Sequence, residues 1–128
     1  MRIVLHIGLE QVGANRLQDI LADKREQLIS KGVLYPRSLG NKNHTRLYMA
    51  VTDPDHIDPL RHARGYGDPA LQKRLYDSAI RGLTQEIETH KPELLIVSAS
   101  QLGGSSARRS EISRVRDMLT QLSDDISV

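Results

Sequence analysis

Cysteine, tryptophan and phenylalanine are all absent from this chain, and its aromatic side chains are four tyrosines. Without cysteine the chain can form no disulfide, no thiolate nucleophile and no metal site with cysteine ligands. His56, His62 and His90 lack the spacing to acidic partners that metal sites use, so no metal site is predicted. A chain of 128 residues is long enough for one domain with its own core.

The sequence also lacks a long apolar run and a strong excess of one charge. The apolar run at 3–7 is far shorter than the roughly 20 residues of a membrane helix, and no basic segment followed by a long apolar stretch marks a signal peptide. Eighteen Lys and Arg against 16 Asp and Glu give a net charge of +2, which is too balanced to indicate nucleic acid as a partner. We therefore predict a soluble, cytoplasmic protein with no membrane span and no nucleic-acid partner.

Short apolar runs alternate with segments in which apolar residues recur at helical spacing. Helices are predicted at 14–31, 44–51, 69–91 and from residue 110 to about 122. Asn15 and Gln18 are predicted to form a capping box, Asp68 and Ser110 to cap later helices, and Gly32 to end the first one. Strands are predicted at 3–7, 93–98 and from 126 onward, with 32–36 as a short strand or extended connection. This alternation predicts an α/β fold with a parallel sheet flanked by helices.

The loop between the first strand and the first helix contains two glycines in a frame typical of phosphate sites. Gly8 and Gly13 have the spacing of P-loop glycines, and a helix N-terminus directly after such a loop favours an anion. An ordinary nucleotide hydrolase would have Lys and Ser or Thr where this chain has Ala14 and Asn15, so Mg²⁺ would lack its hydroxyl ligand. The alternative interpretation is a βα turn that needs glycine only for tight packing.

The segment Leu5-His-Ile-Gly-Leu-Glu-Gln-Val-Gly-Ala-Asn-Arg-Leu-Gln18 resembles the opening of bacterial sulfotransferase-like proteins, roughly L-H-I-G-x-x-K-T-G-T-T-x-L-Q. Two later pieces are also similar to that family: Gly32-Val-Leu-Tyr-Pro36 with Asn43-His44 after it, and the strand at 94–98. The resemblance implies that 1–128 is a single domain with a P-loop-like three-layer architecture. It also implies a fold that is incomplete at the C-terminus, because family members continue with a strand and an Arg and a Ser that bind a 3′-phosphate.

The resemblance implies transfer of a sulfuryl group from PAPS (3′-phosphoadenosine 5′-phosphosulfate) to a hydroxyl or amine acceptor. The residues that would hold the 5′-phosphosulfate are Gly8, Leu9, Glu10, Gln11, Val12, Gly13, Ala14 and Asn15. Gln11 stands in the position of the family's lysine, and His44 is the candidate base. Replacing a charge-assisted hydrogen bond by a neutral one would slow transfer by about one to three decades. The alternative function is therefore an inactive sulfotransferase-like domain that serves as a binding or accessory module.

The remaining candidates each have a functional and a structural interpretation. His6 is either a base or phosphate contact, or a packed residue of the first strand, and His44 is either a site residue or a helix-cap or surface residue. Ser98 and Ser100 are expected to face the cleft, because ligands bind at the carboxyl ends of parallel strands. The family tends to have Ser-Ser-Glu at the end of this strand, and here the run Ser98-Ala99-Ser100-Gln101 lacks that carboxylate, at Ser100. An anion patch or a solvated helix face is predicted for four arginines, Arg108, Arg109, Arg114 and Arg116.

Overall fold

The computed structural model describes residues 1–7, 14–41, 43–53, 68–99 and 108–128. Its strands are β1 (Arg2–His6), β2 (Val33–Leu34), β3 (Leu94–Ser98) and β4 (Ile126–Ser127). Its helices are α1 (Ala14–Asp23), α2 (Arg25–Ser30), α3 (Thr45–Val51), α4 (Pro69–His90) and α5 (Arg109–Thr120). None of these helices is long and apolar enough to cross a membrane.

The four strands form one parallel sheet in the order β2-β3-β1-β4. The longest pairing joins β1 to β3 in register, from Arg2 beside Leu94 to His6 beside Ser98. Every pairing is parallel, which confirms the predicted α/β class with a parallel sheet and helices. Parallel neighbours place their carboxyl ends at the same edge of the sheet, so β1 and β3 end side by side.

The core forms where β1 and β3 meet the helices that pack on the sheet. Its fully buried residues are Ile3, Leu34, Leu39, Leu47, Val51, Ala79, Leu83, Leu95, Val97, Ala99, Val115, Met118 and Leu119. In β3, Leu95 and Val97 are buried while Leu94 and Ile96 are half-buried. The apolar run of β3 thus reflects one fully buried face and one face that helices cover partly.

The predicted single helix over 14–31 is divided into α1 and α2 at Lys24. Hydrogen bonds still run across the division, from Lys24 N to the oxygen of Ile20 at 3.0 Å and from Leu28 N to the oxygen of Lys24 at 2.9 Å. Gly32 follows α2 with φ of +79°, as predicted for a residue that ends a helix. The division is therefore a local change of direction within one helical segment.

The apolar face predicted for the first helix is partly wrong. Leu17 and Ile20 are 38% and 44% exposed, whereas Gln18 is 1% exposed and Arg25 is 5% exposed. Both buried polar side chains make hydrogen bonds to residues distant in the sequence. Gln18 donates from Nε2 to Ser98 and Asn43. Asn15 lies inside α1, which begins at Ala14, and so is not its N-cap.

The helix α4 begins and ends as predicted. Asp68 caps it, with Oδ1 accepting a hydrogen bond from Ala70 N at 2.9 Å, and Pro69 occupies the first turn. It ends at His90, and Lys91 follows with φ of +45° ahead of Pro92. On the buried side of α4, Gln72 donates from Nε2 to the oxygens of Met49 at 2.9 Å and Thr52 at 2.6 Å. These bonds fasten α4 to the end of α3.

The N-terminus of α5 differs from the prediction that Ser110 would cap it. Arg108 occupies the N-cap position, and Glu111 accepts the main-chain N–H of Arg108 at Oε1 over 2.8 Å. The side chain of Ser110 instead donates to Oδ2 of Asp53 at 2.6 Å. Asp53 is the competing acceptor that local sequence could not show, because it lies before α4 in the chain. The strand β4 begins at Ile126 as predicted, beside Ile3.

Candidate functional site

The candidate site lies where β1 and β3 end together. His6 and Ser98 are register partners, and Nδ1 of His6 is 3.0 Å from Oγ of Ser98. The main chain continues this pairing, since Ala99 N donates to the oxygen of His6 at 3.1 Å. Ser98 is fully buried and His6 is half-buried. A hydroxyl and an imidazole thus meet at the carboxyl edge of the sheet.

The strand order reverses at this pair of strands. From β1 the chain crosses over β3 to reach β2, whereas from β3 it crosses over β1 to reach β4. The connections that leave β1 and β3 therefore run in opposite directions, which is the topology that places a crevice between two carboxyl ends in open parallel sheets. Such a switch point is where open parallel sheets bind their ligands. Ser98 was predicted to face this cleft. In the structure its side chain is fully buried.

Ser98 connects the first helix to the sheet through Gln18. Nε2 of Gln18 donates to Oγ of Ser98 at 3.0 Å and to Oδ1 of Asn43 at 3.2 Å. Oγ of Ser98 thus accepts from Gln18 and shares a hydrogen bond with Nδ1 of His6, in which the tautomer of His6 determines the donor. The amide of Gln18 thus holds α1 beside the ends of β1 and β3, with the first turn of α1 following directly on residues 8–13.

His44 is fully buried and both of its ring nitrogens are engaged. Its Nδ1 accepts the main-chain N–H of Ser98 at 3.0 Å, so the ring proton lies on Nε2, which donates to the oxygen of Pro36 at 2.9 Å. The main-chain N–H of His44 also donates to the oxygen of Ser98 at 2.8 Å. Burial lowers the pKa of His44 to about 3, against the opposing effect of the Pro36 bond.

This geometry argues against the predicted role of His44 as a base. A general base needs a free lone pair within reach of a substrate proton, and both nitrogens of His44 are bonded inside the protein. The alternative of a surface residue is also wrong, because the side chain has no exposed area. His44 occupies the N-cap position of α3, but its side chain makes no capping bond. Its role is to join the segment before α3 to the end of β3.

Tyr35 and Arg25 complete the buried surroundings of His44, and neither is among the predicted site residues. The rings of Tyr35 and His44 stack with centroids 4.5 Å apart, and the guanidinium carbon of Arg25 lies 5.2 Å from the Tyr35 ring centroid. Burial raises the pKa of Tyr35 to about 12, while Arg25 and a hydrogen bond with Ser98 act in the opposite direction. The tyrosine hydroxyl therefore stays protonated at neutral pH.

The charge of Arg25 is held mainly by main-chain carbonyls. Its Nε donates to the oxygen of Tyr35 at 2.7 Å, and Nη2 donates to the oxygen of Asn41 at 2.6 Å. Burial lowers the pKa of Arg25 from its usual value. Periodicity could not identify this residue, because its partners lie in an irregular segment after β2. Gln18 and Tyr35 did fall within the pieces that resemble the sulfotransferase-like family, and that was the signal available for them.

That irregular segment depends on Gly40, which has φ of +139°. A Cβ at this position would collide with the main-chain oxygen of Asn43 and would lie 3.2 Å from the Cα of His44. Glycine therefore allows the chain to turn back closely enough to place Asn43 beside Gln18 and His44 beneath Ser98.

Several predicted site residues lie outside the described residues. They are Gly8, Leu9, Glu10, Gln11, Val12, Gly13, Ser100 and Gln101. Ala14 and Asn15 form the beginning of α1. Across 1–7, 14–41, 43–53, 68–99 and 108–128, there is no group of three or more His, Asp or Glu residues that could hold a metal ion.

The four arginines near α5 divide into two pairs. Arg108 and Arg114 bind the carboxylate of Asp53, through Oδ2 at 3.4 Å for Arg108 and through Oδ1 for Arg114. The bond from Ser110, followed by the two guanidinium groups, holds the pKa of Asp53 below its usual value. Arg109 and Arg116 line a groove on the other side of α5. Two of the four arginines of the predicted anion patch are thus paired with one internal carboxylate.

Comparison of the chain with protein-family models, with curated proteins and with solved structures finds no match.

Proposed function

We propose that this chain is a sulfotransferase-like protein that binds PAPS in the crevice between the carboxyl ends of β1 and β3. The observation that carries the proposal is the pairing of His6 with Ser98 at the point where the strand order reverses. The segment that leads from β1 to α1 is the one whose glycines resemble a phosphosulfate loop. In this proposal the sheet and helices belong to a P-loop-like three-layer fold.

In this proposal the groups that bind the anion are uncharged hydrogen-bond donors. Gln18 joins α1 to the end of β3, and the first N–H groups of a helix have no partner within the helix, so the proposal places the start of α1 beside the anion. The nearest buried cation, Arg25, donates to carbonyl oxygens of the protein itself. The loop residues from Gly8 to Asn15 would hold the 5′-phosphosulfate, with Gln11 donating a hydrogen bond in place of the family's lysine.

A second candidate function is a binding module without transferase activity, and the burial of His44 favours it. Sulfuryl transfer resembles phosphoryl transfer in needing charge stabilisation and a positioned acceptor. Gln11 contributes no charge, and His44 has no free lone pair for a base. We therefore expect PAPS binding with weak or no turnover.

The test is a calorimetric titration with the product nucleotide, adenosine 3′,5′-bisphosphate, on the wild-type chain and on Gln11→Lys. The variant is expected to bind about tenfold more tightly, because a charge-assisted hydrogen bond replaces a neutral one. The matched control is Gln85→Lys, the same change at an exposed position of α4, which should leave the affinity unchanged. At 100 times the dissociation constant, bound nucleotide should also stabilise the fold by about 2.7 kcal/mol.

Two outcomes would count against this proposal. Absence of heat with both wild type and Gln11→Lys, in samples shown to be folded by circular dichroism, would remove PAPS as the ligand. Equal tightening in Gln11→Lys and Gln85→Lys would show only a general effect of charge. Transfer of labelled sulfate from PAPS separates the two candidates: measurable turnover by Gln11→Lys supports a weakened enzyme, and binding without turnover supports a binding module.

A further inference from the structure

A groove of about 540 Å³ lies between α5 and the β4 side of the sheet, away from the network around Ser98. Leu5, Leu119 and Ile126 are among its apolar lining residues. Ile112 on α5 also lines it and is 40% exposed. Sites for small organic molecules usually have volumes of about 300–1,000 Å³ and mainly apolar linings. The groove has the size and the lining of such a site.

Two arginines on the same face of α5 border this groove. Arg109 and Arg116 are seven residues apart, which places them two turns apart along one side of a helix. Neither guanidinium has an ion pair or hydrogen bond within the described parts of the chain. Asp124 is the one side-chain carboxylate among the described lining residues, and Val128 also lines the groove. The border of the groove therefore has two guanidinium groups against one side-chain carboxylate.

The other two arginines near α5, Arg108 and Arg114, differ from the pair at the groove because they have an internal partner. Arg108 and Arg114 both pair with the single carboxylate of Asp53, which lies before α4 in the chain. Among the residues that the structure describes, the pair at the groove has no such partner. An apolar lining and two unneutralised guanidinium groups are together complementary to a molecule with an apolar body and an anionic head.

We infer that the groove between α5 and β4 binds a small amphipathic anion, of the class of a medium-chain carboxylate. The apolar chain would lie against Leu5, Ile112 and Ile126, and the carboxylate would accept hydrogen bonds from Arg109 and Arg116. This inference is independent of the proposed PAPS site, because none of these residues belongs to the network around Ser98.

The experiment uses methyl NMR spectra of the isotope-labelled chain titrated with octanoate, 1-octanol and acetate, each below the concentration at which it aggregates. Octanoate should give saturable shifts of the methyl groups of Leu5, Ile112, Leu119 and Ile126. Octanol lacks the charge and should bind about tenfold more weakly, and acetate lacks the apolar chain and should leave the methyl groups unshifted.

Charge variants complete the test. Arg109→Gln and Arg116→Gln should each weaken octanoate binding by about threefold to tenfold and leave octanol binding unchanged. The matched control, Arg81→Gln on the exposed face of α4, should change neither. Equal affinity for octanol and octanoate would overturn the role of the arginines. Unshifted groove methyl groups in the folded wild-type chain would overturn the site, as would shifts that occur only with vesicles of an anionic lipid.

Discussion

The burial of His44 predicts that the protein loses stability as the pH falls below about 6.5. The folded-state pKa of His44 is lowered to about 3, whereas an unfolded chain binds this proton near pH 6.5. Between these values the unfolded state holds more protons than the folded state, so the free energy of unfolding decreases as the pH decreases. Replacing His44 by glutamine removes the titrating group and keeps an amide that can donate to the oxygen of Pro36.

The expected size of this effect follows from proton linkage. Once the pH is well below 6.5, each further unit lowers the free energy of unfolding by about 1.4 kcal/mol. Between about pH 7.5 and about pH 5 the loss from His44 is about 2 kcal/mol, a large part of a typical total of about 5–15 kcal/mol. The lowered pKa of Asp53 causes a loss in the same direction, but only at lower pH, near and below the usual carboxyl range.

Urea denaturation followed by circular dichroism at several pH values would measure this slope. We expect wild type to lose about 2 kcal/mol over that range, and His44→Gln to lose little, although it is less stable at neutral pH. The control is His90→Gln, which removes an exposed histidine at the end of α4 and should retain the wild-type slope. Equal slopes for wild type and His44→Gln would refute the assignment of a buried, neutral His44.

Two substitutions test the turn before α3 and the attachment of α4. Gly40→Ala should destabilise the fold by about 3 kcal/mol or more, because its Cβ meets the main-chain oxygen of Asn43, whereas Gly32→Ala, with nothing closer than 3.6 Å, should cost about 1–2 kcal/mol. Gln72→Leu removes the side-chain donor to the oxygen of Thr52, while the oxygen of Met49 keeps the Thr52 hydroxyl as a donor, so the change should cost about 1–3 kcal/mol, whereas Gln85→Leu on the exposed face should change stability by less than about 0.5 kcal/mol. Urea denaturation measures the free energy of unfolding of all four variants. Equal costs for Gly40→Ala and Gly32→Ala would contradict the collision at Gly40. Equal costs for Gln72→Leu and Gln85→Leu would contradict the hydrogen bonds of Gln72.

The fold was predictable wherever local chemistry determines it. Asp68 followed by Pro69 marks the start of α4, and the alternation of strands and helices predicted the parallel sheet that the structure contains. Which face of α1 is buried was not predictable from local chemistry. Periodicity assigned Leu17 and Ile20 to the interior, but long-range bonds of Gln18 turn a different face inward. An amide and its distant acceptors leave no periodic pattern in the sequence.

The candidate site was also predictable only in part. The position of His6 and Ser98 at adjoining strand ends follows from parallel pairing, which the sequence indicated. The burial and hydrogen bonding of His44 do not follow from parallel pairing. They depend on the turn at Gly40 and on carbonyl oxygens that only the folded chain brings together. Residue type alone suggested a base, whereas burial and two hydrogen bonds make the ring a structural connection.

Thr52, Asp53 and Asp68 are held by hydrogen bonds on the two sides of residues 54–67. Gln72 holds Thr52, α5 holds Asp53, and Asp68 caps α4, so both ends of the segment 54–67 are fixed by residues outside it. The bonds that tie the end of α3 to α4 and α5 are thus made entirely by residues outside 54–67. A change of sequence within 54–67 would leave every one of these donors and acceptors in place.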